Sequence, residues 1–113
     1  MSLAAGFCRG LGEGANTLAA VIRLGLKEMT TLAVGVGASP RSVFEESSGV
    51  GDLILTCTVG RGARLAAAFA QRFRSHGACT SAAASARRWA ALEDDLFNGM
   101  KLPDWHNAKV CVD

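Results

Sequence analysis

Tyrosine is absent from this sequence, and aromatic residues of all kinds make up only 6% of it. At that level large rings cannot fill a core. Ala, Leu and Val must fill it instead, which favours close-packed helices. Proline is scarce, with two residues in 113, so long stretches are free to be helical. A surplus of one charge is also missing. Twelve Lys and Arg against ten Asp and Glu leave a net charge of +2. That is thinner than the basic patch of a typical nucleic-acid binder, although it suits a small anion. Arg61, Arg64, Arg72, Arg74, Arg87 and Arg88 have no aromatic interleaving of the single-strand-binding kind, and Glu93, Asp94 and Asp95 follow closely. No nucleic-acid partner is expected.

The four cysteines, Cys8, Cys57, Cys79 and Cys111, form no CxxC pair. Neither His76 nor His106 stands at a helical ligand spacing from one of them, so no metal site is expected. No secretory signal is recognisable, and the thiols read as reduced and intracellular. The apolar run in MSLAAGFC is too short to span a membrane. Cys111 is third from the end, so VCVD is not a prenylation box. No membrane partner is expected.

Half of the residues are hydrophobic, enough for one small domain at most. Residues 1–15 are rich in glycine and read as a loop or an irregular helix start. GLGEG has the outline of a nucleotide-binding glycine motif, but no strand fits before it, and a structural turn is the plainer reading. Residues 16–34 carry the clearest helical period. Asn16 or Thr17 is the expected cap, Leu18, Val21, Ile22, Gly25, Leu26 and Met29 the inward face, and Gly35 and Gly37 the stop. Ser39-Pro40 opens a second helix, with Val43 and Phe44 inward, and Ser47-Ser48-Gly49 breaks it. Residues 49–57, GVGDLILTC, suit either a buried strand or a helix with Asp52 in its first turn. Gly60 and Gly62 flank Arg61 in a turn. Residues 63–74 form a helix with Leu65, Ala66, Phe69 and Phe73 on one face. The Ser/Ala-rich stretch 75–86 reads as a flexible insertion. Residues 87–97 are helical again, with Trp89, Leu92 and Leu96 inward and Glu93, Asp94 and Asp95 outward. Asn98-Gly99 stops them, and one more helix can start at 104. His76 and His106 read as bystanders, and Trp89 and Trp105 as packing residues.

Four segments in order resemble one family: GFCRGLGEGANTLAAVIRLGLKEM (6–29), FEESSGVGDLILTC (44–57), GRGARLAAAFA (60–70) and LEDDLFNGMKL (92–102). They are similar to the C-terminal, substrate-binding domain of NAD-dependent glycerol-3-phosphate dehydrogenases. The resemblance implies an all-α, multi-helix fold like that of 6-phosphogluconate dehydrogenase C-terminal domains, here incomplete, and it favours the helix for 49–57. It implies a protein that interconverts dihydroxyacetone phosphate and sn-glycerol 3-phosphate with NAD bound mainly by a separate N-terminal domain. A cytoplasmic, homodimeric full-length protein is also implied.

Carried over by motif, the aspartate of GDL is Asp52, a catalytic residue beside the family's proton-donating lysine. The threonine of TC is Thr56, which bonds substrate. The phosphate-reading arginine is Arg61, which also reaches the cofactor, and Gly62 stands beside it on the substrate side. The loop lysine that folds over the cofactor is Lys101. These residue types suit the chemistry. A carboxylate orients and tunes a lysine, and a guanidinium offers paired donors to phosphate.

The sequence also departs from the family pattern. The catalytic lysine, which the family carries just upstream of the first block, is not in this sequence. Arg9 stands where the family has aspartate, Gly62 where it has asparagine, and Met100 where it has glutamine. The expectation is a partial domain over residues 1–113, inactive alone, with bare apolar faces on the helix at 16–34. The alternative is a non-catalytic helical interaction module.

Overall fold

The computed structural model describes residues 1–76 and 82–100. All regular structure among the described residues is helical, in agreement with the all-α expectation. Helix α1 spans Ser2–Leu11, α2 Ala15–Gly35 and α3 Pro40–Glu45. A π-type turn, Ser47–Gly51, leads into α4, Asp52–Thr58. Helices α5, Arg61–His76, and α6, Ala82–Phe97, complete the described fold.

Where a loop or an irregular helix start was expected in residues 1–15, the structure has a regular helix through Leu11. The reason is tertiary. Gly6 and Gly10 are one turn apart and both buried, facing α5. A Cβ on Gly6 would run into the Ala63 carbonyl and lie 2.7 Å from the Ala66 Cβ. One on Gly10 would run into the Ala67 carbonyl and lie 2.6 Å from the Ala70 Cβ. The glycines therefore let two helix backbones meet along a seam of small residues. Gly12 closes α1 in the left-handed region, with φ 78°, a conformation that costs glycine little. The Arg74 guanidinium adds a bond to the Leu11 carbonyl at 2.8 Å.

Helix α2 begins one residue earlier than its expected cap. Gly14 is the N-cap, and neither Asn16 nor Thr17 supplies a side-chain cap. The expected inward face holds: Gly25 is buried, and Leu18, Val21, Ile22, Leu26 and Met29 are half-buried. Ser39 caps α3 as expected, its hydroxyl accepting from the Arg41 amide at 3.3 Å, with Pro40 in the first position. Val43 is buried but Phe44 is 53% exposed, lining an open groove beside α2. Arg61 and Gly62 begin α5 rather than forming a turn. Phe73, expected inward, is exposed on α5.

The Ser/Ala-rich stretch is helical at both ends, since Ser75 and His76 close α5 and 82–86 open α6. Alanine's high helix propensity overrides the low complexity that suggested a loop. Residues 77–81 and the helix expected from 104, with Trp105 and His106, lie outside the described residues. Glu93, expected outward, is buried, whereas Asp94 and Asp95 are exposed. Asp95 pairs with Arg72 of α5 at 3.6 Å. Asn98 and Gly99, with φ 51° and 80°, end α6 as expected.

Two clusters form the core, one on each side of α1. Leu65, Ala66, Trp89 and Leu92 are buried with Phe7, Phe69 and Leu96 packed around them. Trp89 is thus a packing residue, its ring 5.3 Å from that of Phe69. Ala5, Leu53 and Cys57 form the second cluster, against Leu18, Ile22, Leu26 and Met29 of α2. The segment Ser47–Ser75 is apolar and long enough by composition to cross a membrane. Val59, at φ −123° and ψ −2°, interrupts it as a helix, and part of it is buried in these clusters.

Candidate functional site

A cleft of about 360 Å³ opens between the start of α1 and one face of α4, lined by Met1, Ser2, Met29, Asp52, Thr56 and Cys57 among others. Local sequence positions its polar groups. Gly49 adopts φ −92° and ψ −108° inside the π-type turn, where a Cβ would run into the Val43 carbonyl. That tight approach ends the turn and starts α4 at Asp52. The carboxylate then occupies the first turn of a helix, where the helix dipole favours negative charge. Thr56 follows four residues later and falls on the same face.

Asp52 is exposed and Thr56 half-buried, so both reach the cleft. The hydroxyls of Thr30, Thr31 and Thr58 bond back to carbonyls of their own helices. That of Thr56 has no hydrogen-bond partner among the described residues. It remains available to a ligand. Cys57, fully buried at the cleft's inner wall, has its thiol pKa pushed up by burial, opposed by the N-terminal ammonium and by Arg9. The neutral thiol is the form that suits this wall.

Arg61 and Gly62 flank the cleft without lining it. Gly62 is buried against the start of α1, where an added Cβ would lie 2.8 Å from the Ser2 hydroxyl oxygen. Ser2 lines the cleft, so the first turn of α5 adjoins it. Arg61 is exposed there, and its Nη1 donates to the Met100 sulfur at 3.1 Å. A thioether is a weak acceptor, easily displaced by an anionic oxygen. Asp52 and Thr56 are thus brought together, with Arg61 and Gly62 beside them. Lys101 lies outside the described residues.

Sequence reasoning missed Ser2, Met29 and Cys57 as cleft residues. Only Cys57 carried a signal, because it closes the GDLILTC block. Arg9, seen in the sequence only as a departure, has a definite place. Its Nη1 and Nη2 donate to the carbonyls of Thr58 and Cys57, both at 2.7 Å. It thereby holds the C-terminal end of α4, the helix that carries Asp52 and Thr56. GLGEG has no cradle geometry: Gly10 lies inside α1, and the amides of Gly12 and Glu13 bond the carbonyls of Arg9 and Cys8. Those N–H groups are engaged in ending a helix. No dinucleotide cradle is formed there.

The family model described as the C-terminus of NAD-dependent glycerol-3-phosphate dehydrogenase matches residues 1–93. Among similar proteins are the cytoplasmic NAD(+) glycerol-3-phosphate dehydrogenases of Pongo abelii and Homo sapiens, each 45% identical over 104 residues. The glycerol-3-phosphate dehydrogenase 1-like protein of Xenopus tropicalis is 43% identical over the same length. Each match covers 90% of this chain and 26% of the relative. The chain thus spans about a quarter of the length of these relatives.

Proposed function

Because the chain belongs to the NAD-dependent glycerol-3-phosphate dehydrogenase family, as part of its C-terminal region, we propose that it supplies the substrate-binding helices of an oxidoreductase acting on dihydroxyacetone phosphate and sn-glycerol 3-phosphate. The observation that carries this reading is the joint presence of Asp52 and Thr56 on one cleft at the start of α1. In this reading the Thr56 hydroxyl donates to a substrate oxygen. Asp52 faces the family's lysine, whose motif position is just upstream of α1, and holds its ammonium toward the carbonyl to be protonated. Arg61, with the first-turn amides of α5, receives the phosphate. Gly62 lets the start of α1, with Ser2, pack closely beside the first turn of α5. Arg61 and Lys101 are the residues of this chain that would extend toward NAD, which supplies the hydride when bound. Its main binding surface belongs to the part of the relatives that this chain does not span.

Two of the matched relatives are named as cytoplasmic, which supports the same location for this protein. Pairing of two longer chains as a homodimer belongs to the same reading.

The test is ligand titration of the 113-residue chain by amide NMR. Glycerol 3-phosphate should shift the signals of Asp52, Thr56 and Arg61, and Arg61→Met should weaken binding by about tenfold or more. Shifts confined to other helices, or none at millimolar ligand, would overturn the assignment of this cleft. Joined to the remaining part of the human relative, the chain with Asp52→Asn should lose about 10²-fold in kcat.

A further inference from the structure

Thr56 stands on α4 and Arg61 on α5, so a ligand that touches both reads the angle between two helices. Only Val59 and Gly60 join those helices. The corner is folded tightly, since a Cβ on Gly60 would run into the Thr56 carbonyl. Its backbone bonds stay within one helix or the other. The Val59 amide takes the Leu55 carbonyl at 2.9 Å, and the Arg64 amide takes the Gly60 carbonyl at 3.0 Å. Glycine restricts the backbone least of all residues, so the two linking residues do not fix the angle by themselves.

Arg9 of α1 supplies what the corner lacks. Its Nη1 and Nη2 donate to the carbonyls of Thr58 and Cys57, both at 2.7 Å. These carbonyls belong to the last turn of α4, where the helix dipole also favours a cation. A planar fork that engages two oxygens fixes direction as well as distance. The helix that carries Arg9 is itself seated on α5, because Gly6 and Gly10 leave no space for a Cβ against Ala63, Ala66, Ala67 and Ala70. The end of α4 is thus bracketed to α5 through α1.

We propose that Arg9 is a positioning residue of the proposed substrate site. It sets the placement of Arg61, with the first-turn amides of α5, relative to Thr56, and it acts through the two helices rather than by touching substrate. The proposal rests on the reading of Thr56 and Arg61 as the two substrate contacts. It has a selective consequence. Inorganic phosphate needs only the α5 groups, which move as one unit. Glycerol 3-phosphate also needs Thr56, and so depends on the bracket.

Amide NMR titration of the full chain with each of these two ligands tests this, at a temperature where circular dichroism shows every variant fully folded. Arg9→Met should weaken glycerol 3-phosphate binding at least about fivefold and change phosphate binding less than about twofold. Arg74→Met is the matched control, because Arg74 also donates to a helix-end carbonyl, that of Leu11 at 2.8 Å, but on α1. It should leave both affinities unchanged. Full glycerol 3-phosphate affinity in Arg9→Met would overturn the proposal alone. So would a loss shared equally by both ligands, or found equally in Arg74→Met, since Arg9 would then be a structural contact only. A parent chain that binds neither ligand would overturn the reading of the site, and the proposal with it.

Discussion

Arg9 shows how one residue can change meaning once its surroundings are known. As a departure from a motif it reads as a loss, but in the structure it closes the end of α4 with two charge-assisted bonds to backbone carbonyls. Such carbonyls have no partner within their own helix. Arg9→Met should therefore destabilise the chain by about 1–3 kcal/mol, measured as a shift in the urea midpoint. Cys57 carries a second prediction. Its folded-state pKa is raised above the ordinary value of 9.0, chiefly by burial. The stability gained by keeping the thiol neutral is fully present below about pH 9 and is lost as pH rises through the folded pKa. Denaturant midpoints at pH 8 and pH 10 should differ less in Cys57→Ala than in the parent. Asp52 and Thr56 were legible in the sequence, because a helical spacing of four fixes their shared face once α4 is a helix. Arg61 was legible by type, but the approach of Ser2 to Gly62 was not, because that contact joins residues 60 positions apart.

At the scale of elements, the seam between α1 and α5 decides most. The sequence suggested a loop or an irregular helix start for residues 1–15, since glycine is a poor helix former. The structure makes Gly6 and Gly10 necessary, because α5 approaches closely enough that no larger residue fits. Gly6→Ala would improve helix propensity by ~1 kcal/mol yet should destabilise by about 1–3 kcal/mol through overpacking. Gly35→Ala, where an added Cβ meets nothing within 4 Å, should be neutral or stabilising by ~0.5 kcal/mol. Thermal unfolding of the two variants separates these effects. The ends of α5 and α6 were misjudged for the opposite reason: alanine-rich sequence looks featureless, but it is good helix material.

For the molecule as a whole, packing is uneven. Both clusters lie around α1, and one flank of α2 and the outer side of α4 stay open, with Ile54, Leu55 and Val59 49%, 58% and 61% exposed. The bare face expected for residues 16–34 is present. Substituting within the core should therefore cost far more than substituting on that face. Leu65→Ala, at 0% exposure, should destabilise by about 2–5 kcal/mol. Leu32→Ser, at 71% exposure, should leave the unfolding midpoint nearly unchanged and lower the binding of an apolar dye such as ANS.

The sequence by itself determined the helical class, the inward face of α2, the Ser39-Pro40 start and the Asn98-Gly99 stop. Each depends on local spacing or on the backbone preferences of one or two residues, which are written along the chain. Only the tertiary structure decided that a glycine-rich opening is a helix, that Arg9 holds α4, that Ser2 and Gly62 meet beside the cleft, and that Phe44 and Phe73 face outward. Those outcomes depend on how closely distant helices approach, and that distance is set by the summed packing of both core clusters.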